Sequence, residues 1–364
     1  MSKINGPINL PAQFYSEGIK GGSVSVLQNA FYIPGADTDN TSTPFYTDVA
    51  IIDLLSGDKV NKIVHHQYTE NRTINTICCQ GEFSISFNGS YPYYDIGDSD
   101  FNGYITYSSL SGRGFSSETE IQLPDDVKLK TSFCTSMYDY NNEEVYFGAS
   151  INRFRSGYVV INAKSKEYKK TIYVDDRVNN IQNVNAAISK YRRLYIADQM
   201  QTTSGAILCY DDTTDSFIDS IPLIPKPDWI MQIMGLAIDD SRDTLYVLID
   251  FSKPESSEHV STIQLFDSQS HNPLGQFDLE HGAYAFSPII NQKKQLMYLA
   301  RDRAIQVVNL TSNTLQNEIP LPIDTQLGDQ IYQIDYSPVM NCIVASVFQN
   351  STPCLYIVYA PDEK

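Results

Sequence analysis

Apolar and polar residues alternate along this chain in short runs, and the runs recur from one end to the other. An aromatic stands at the centre of "AFYIPG" (30–35), "EVYFGA" (144–149), "RLYIAD" (193–198), "TLYVLI" (244–249) and "LMYLAR" (296–301). After each comes a strand-like run, a polar turn and a second strand-like run, as in "GYVVINAKSKEYKKTIYV" (157–174) and "AILCYDDTTDSFIDSIPL" (206–223). Before each lies a further alternating run, such as "QIMGLAID" (232–239) or, ahead of a less regular unit, "INTICC" (74–79). A period of two is the mark of a strand buried on one face, so every unit predicts four strands. Anchored on the polar turn, at Asp53, Ser108, Asn162, Asp211, Asp267, Asn309 and Tyr359, the units are spaced by 55, 54, 49, 56, 42 and 50 residues. Asp or Asn here, with Ser or Thr three residues later, suits a turn in which a short polar side chain bonds the local backbone.

Four strands in roughly fifty residues is the content of one propeller blade, with strands labelled A to D from the inside outward. The last unit stops one strand short. At the other end "GPINLP" (6–11) has the pattern of the D-strand endings "SIPLIP" (220–225) and "NEIPLP" (317–322). The expected fold is therefore all-β: a seven-bladed β-propeller over residues 1–364 as one domain, four antiparallel strands per blade, with residues 4–10 completing the last blade. Closure of this kind removes an open sheet edge.

The strand and turn grammar, clearest at 244–279 and 193–223, resembles that of the YVTN, NHL and lactonase-like seven-bladed propellers. The shared positions carry architecture rather than chemistry. The Trp-Asp pairs of WD repeats are absent, the single Trp229 following Asp228, and kelch-type double glycines are missing. The resemblance implies that the D-to-A and B-to-C connections open on one face, where ligands dock.

Composition agrees with strands and tight turns, with 25 Tyr against one Trp. A net charge of −17 repels nucleic-acid phosphates and anionic lipid, so neither nucleic acid nor membrane is an expected partner. The opening "MSKINGPINLPAQF" has no apolar targeting run, and a cytoplasmic location is expected. Six cysteines without metal spacing, most in apolar runs, are expected to be buried and reduced.

Candidate chemistry gathers in the connections. The D-to-A segments carry Glu17, Glu70, Asp125, Asp126, Asp175, Asp176, Asp228, Glu280, Asp324 and Asp329, either a solvated acidic rim or a surface for a cation or a basic segment. The B-to-C segment 88–103 presents Tyr91, Tyr93, Tyr94 and Phe101 among small polar residues, beside the segment 35–47 of the first blade. Aromatic rings on polar loops give large contact area, so with Trp229 these are the candidate ligand-binding residues for a protein or glycan, unless the rings fold back onto their blade. Acid/base candidates are His66 with Glu70 and Arg72, and Glu280 with His281; they would serve a lactonase-like hydrolase with a channel site. A third reading is a structural assembly platform. Asp98, Asp100, Asn102 and Gly103 match the first half of a calcium loop, but its twelfth position is Ser109 rather than a bidentate Glu. Calcium is the one cofactor the sequence suggests, if Asp95 or the Asp37/Asp39 segment supplies the missing carboxylate; a turn entering a strand accounts for Asn102-Gly103 without it.

Overall fold

The computed structural model describes residues 2–11, 14, 22–36, 45–57, 59–68, 73–80, 82–89, 103–116, 118–129, 135–151, 155–174, 186–197, 203–254, 256, 258–279, 285–324, 329–350 and 352–362. Among them, twenty-eight strands form seven four-stranded antiparallel sheets. The chain is a seven-bladed β-propeller. The N-terminal strand β1 (Lys3–Asn9) belongs to the last blade. Blade 1 is β2 (Ser23–Ser25), β3 (Ala30–Ala36), β4 (Phe45–Asp53) and β5 (Val60–Tyr68); blade 2 is β6 (Thr73–Gln80), β7 (Phe83–Gly89), β8 (Tyr104–Ser109) and β9 (Thr119–Ile121). Blade 3 is β10 (Thr135–Asp139), β11 (Glu144–Ile151), β12 (Arg155–Asn162) and β13 (Glu167–Tyr173); blade 4 is β14 (Ala186–Ile188), β15 (Arg193–Ala197), β16 (Ala206–Asp211) and β17 (Ser216–Pro222). Blade 5 is β18 (Ile230–Asp239), β19 (Thr244–Ser252), β20 (His259–Asp267) and β21 (Pro273–Asp278); blade 6 is β22 (Ala285–Asn291), β23 (Leu296–Arg301), β24 (Ala304–Asn309) and β25 (Thr314–Pro320). Blade 7 is β26 (Gln330–Ser337), β27 (Cys342–Gln349) and β28 (Thr352–Tyr359), and β1 pairs with β28 from Lys3↔Tyr359 to Asn9↔Cys354. By contact the chain forms two compact units: Met1–Arg177 with Gln326–Glu363, which holds blades 7, 1, 2 and 3, and Val178–Thr325, which holds blades 4, 5 and 6.

The turn residues do what their chemistry predicts. In blades 1, 3, 4, 5 and 6 the side-chain oxygens of Asp53, Asn162, Asp211, Asp267 and Asn309 accept backbone N–H groups two residues ahead at 2.8–3.0 Å, and four of the five accept a second one three residues ahead. In blade 2 the anchor is one residue later than the sequence spacing suggests. Ser109, not Ser108, pairs with the first residue of β7 and accepts the N–H of Ser111, while Ser108 faces inward. The residue after each anchor closes the blade: the N–H groups of Leu54, Leu110, Ala163, Asp212, Ser268, Leu310 and Ala360 donate to the carbonyls of Asn29, Glu82, Glu143, Arg192, Asp243, Gln295 and Asn341 at 2.7–2.9 Å. One hydrogen bond, repeated in all seven blades, thus ties the end of strand C to the A-to-B turn.

Side chains of strand B alternate between the two faces of a blade, so each blade offers one set to either neighbour. In the first unit, Phe31, Ile33, Ala50 and Ile52 of blade 1 pack with Cys342, Val344, Leu355 and Ile357 of blade 7. Ile85, Phe87 and Ile105 of blade 2 pack with Val145, Phe147 and Ala149 of blade 3. In the second unit, Leu245, Val247 and Ile249 of blade 5 pack with Tyr195, Ile207 and Cys209 of blade 4. The tyrosine that centres the repeat is Tyr32, Tyr146, Tyr195, Tyr246 or Tyr298, each almost wholly buried. Burial of each such ring contributes about 1.5–3 kcal/mol, the force that holds blade to blade.

Candidate functional site

The two ends of the strands are built differently. The A-to-B connection holds four residues in six blades and two in blade 2, and the repeated turn bond rigidifies that end. At the other end the B-to-C connection of blade 2 runs through residues 90–103, and that of blade 1 through 37–44. Long connections are where propellers and other scaffolds carry recognition chemistry.

Most sequence-predicted site residues fall in such connections. Tyr91, Tyr93, Tyr94, Phe101, Asp98, Asp100, Asn102, Glu70, Arg72, Glu280 and His281 lie outside the described residues, as do Asp37, Asp39 and Asp95. His66 lies on β5, where its backbone pairs with Thr47 of β4. Of the described acidic-rim candidates, Asp125, Asp126, Asp228 and Asp324 are exposed. Asp329 is buried instead, and its carboxylate accepts the N–H of Asn350 at 2.7 Å, which makes it a brace for the last blade. Among the described residues, no three His, Cys, Asp or Glu side chains gather as a metal-ion shell.

Trp229 is half-buried and packs against the apolar cluster shared by blades 4 and 5. The segment before it is pinned at several points. Gln264 accepts the N–H of Ile224 at 3.0 Å and donates to its carbonyl at 2.7 Å, while Lys226 pairs with Asp278 at 3.1 Å. The indole is therefore presented on a braced connection, one side on the core and the other toward solvent.

One polar pair escaped the sequence reading. Asp250 near the end of β19 is 2% exposed, and its Oδ2 lies 3.1 Å from Nδ1 of His259 at the start of β20. Burial raises the pKa of Asp250 above the usual carboxylate range, with the His259 hydrogen bond opposing it. In the register, Asp250 stands opposite Gln232 on one side and Ser261 on the other, so the sheet itself assembles a polar row at the loop-rich end of blade 5. Nine residues separate Asp250 and His259 in sequence, and only the hairpin pairing makes them neighbours. His271 is similarly bound, its Nδ1 lying 3.2 Å from Asp219 of the adjoining blade.

The cysteines behave as a core set. Cys78, Cys79, Cys209, Cys342 and Cys354 are buried and unbridged, and burial pushes the thiols of Cys209, Cys342 and Cys354 up to about 12. Asp335 of β26 is a half-buried carboxylate in the first unit, accepting the N–H groups of Val24 at 2.7 Å and Tyr336 at 2.8 Å. Its pKa is pushed up to about 6 by burial, with those two bonds opposing the rise.

No protein-family model matches the chain, and no curated protein matches it in sequence. Among solved structures it is similar to Kuenenia stuttgartiensis Hydrazine Synthase, at a TM-score of 0.62 and 10% identity over 96% of both chains. At that identity the likeness speaks for fold alone. The resemblance to YVTN, NHL and lactonase-like propellers likewise reaches the architecture and not membership of a family.

Proposed function

We propose that this propeller is a non-catalytic binding protein, and that its loop-rich end takes a protein or glycan through the B-to-C connections of blades 1 and 2. The observation that carries this reading is the asymmetry of the connections. At the A-to-B end, polar side chains are consumed in turn bonds repeated from blade to blade. Fourteen residues, 90–103, connect β7 to β8, and their sequence holds Tyr91, Tyr93, Tyr94 and Phe101. Rings of this type on a rigid scaffold supply contact area at low entropic cost. The test is a glycan array and an immobilised-protein pull-down, each run with wild type and a Tyr91→Ala/Tyr93→Ala/Tyr94→Ala variant. Ligands retained by wild type and lost by a variant of unchanged Tm support the reading; identical retention by both would remove it.

A second reading, hydrolysis of a lactone or similar small molecule, has one observation in its favour: the Asp250–His259 pair, in which a buried carboxylate orients an imidazole for acid/base chemistry. A lactone panel separates the two. Turnover by wild type that vanishes in His259→Gln, with the Tyr variant still active, favours the hydrolase.

A further inference from the structure

Blade 2 breaks the pattern of its neighbours on one face only. The positions of strand B that face the preceding blade are Phe31 and Ile33 in blade 1, Val145, Phe147 and Ala149 in blade 3, and Leu245, Val247 and Ile249 in blade 5. The equivalent positions in β7 are Ser84, Ser86 and Asn88. Their alternates Ile85 and Phe87 join the blade 3 interface, so the polar set faces blade 1. The register confirms the side: Ser84 pairs with Cys79 and Ser86 with Ile77, and both partners pack against Tyr32, Val49 and Ile51 of blade 1.

Strand C extends the same face. Ser108 stands opposite Ser84 and Thr106 opposite Ser86. Asn88 donates through Nδ2 to Oγ1 of Thr106 at 2.7 Å, and Thr106 donates to Glu118 at 2.6 Å. Beyond that chain, Ser84 Oγ, Ser86 Oγ, Ser108 Oγ and Asn88 Oδ1 have no hydrogen-bond partner among the described residues, although all four residues are at most 1% exposed. A buried hydroxyl left unbonded is costly, and four clustered on one face of one sheet require a common explanation. Serine is also much smaller than the Val, Phe and Ile at the corresponding positions, so this part of the face is polar and carries little side-chain volume of its own.

We propose that the interface between blades 1 and 2 is a built internal hydration site: water molecules bridge Ser84, Ser86, Ser108 and Asn88 and continue the Asn88–Thr106–Glu118 chain. Water is the ligand this chemistry selects, because hydroxyl and amide oxygens at cross-strand spacing offer each molecule two or more partners, while the opposing wall of Tyr32, Val49 and Ile51 is largely apolar. The site makes this a blade interface held partly by bridged hydrogen bonds.

Water-oxygen-17 relaxation dispersion on the whole protein counts long-lived internal waters, and it is run on wild type and on Ser84→Ala/Ser86→Ala/Ser108→Ala. The expected result is fewer internal waters in the variant and a Tm lower by about 3 °C, since the bridging partners are gone while side-chain volume is almost unchanged. An unchanged water count, or a Tm that rises because unbonded hydroxyls have been removed from a dry interface, overturns the proposal. Should the triple variant fold poorly, Ser86→Ala alone gives the same reading on a smaller scale.

Discussion

Blade 2 meets blade 3 across Ile85, Phe87, Ile105, Val145 and Phe147, whereas toward blade 1 it presents Ser84, Ser86, Asn88, Thr106 and Ser108 beside an apolar cluster that includes Ile77, Cys79 and Phe115. The two interfaces share a sheet and differ only in which members of the alternation face each way. The apolar side resembles the other interfaces described within each unit, where stability comes from ring and methyl burial. The other side sets small hydroxyl and amide side chains beside its apolar cluster, and in our proposal bridging water supplies the partners of those hydroxyls.

The largest effect is expected on the apolar side. Phe147→Ala removes a fully buried ring from the blade 2 and 3 interface and should cost about 3–5 kcal/mol in chemical denaturation, whereas Ser86→Ala on the polar side should shift stability far less. A cost below about 1 kcal/mol for Phe147→Ala would mean that the two interfaces do not differ as described.

The next effect is a pH slope. Burial pushes Glu118 from 4.5 up to about 8. Above pH 4.5 the unfolded chain releases this proton while the folded chain keeps it, so the contribution of Glu118 is fully present in acid and is lost as pH rises toward 8. Stability should fall by up to about 1.4 kcal/mol per pH unit through this window, then level off. Glu118→Gln should flatten that part of the profile in thermal melts between pH 5 and 9. Asp335 acts in the same direction in a lower window, between 3.8 and about 6, and gives Asp335→Asn a separate signature. Coincident profiles for wild type and Glu118→Gln would mean that the carboxyl is solvated rather than desolvated beside Thr106.

The smallest effect lies outside both interfaces. Asp267→Ala removes the acceptor for the N–H groups of Gln269 and Ser270 and should cost about 1 kcal/mol, with Asp211→Ala close to it because the turns are equivalent. A several-fold difference between them would show that the repeat is geometric but not energetic.

The fold was legible because its signals are local and repeated. Tyr at the centre of five of the seven B strands and Asp or Asn at five of the turn anchors are short-range choices, and the repetition averages out the irregular copies. Blade 2 was misplaced by one residue for the same reason: Ser108 and Ser109 are adjacent, both can serve a turn, and only pairing with Phe83 decides between them. The "FSISFN" alternation of β7 was visible, but what its serines face is a property of the neighbouring blade. The Asp250–His259 pair was illegible because hairpin register creates it, and the burial of Asp329 against the Asn350 amide depends on a contact across twenty-one residues that its loop sequence does not carry. The tyrosine and calcium-like candidates remain sequence-level proposals, since they lie outside the described residues.

Native-state hydrogen exchange tests the central contrast most directly. The amides of Ser84–Asn88 and of Val145–Ala149 occupy equivalent B strands in successive blades, so local opening of each can be read in one experiment. The account predicts measurably weaker protection for Ser84–Asn88, with the gap widening as Glu118 ionises above about pH 8. Equal protection of the two strands across that range would contradict it.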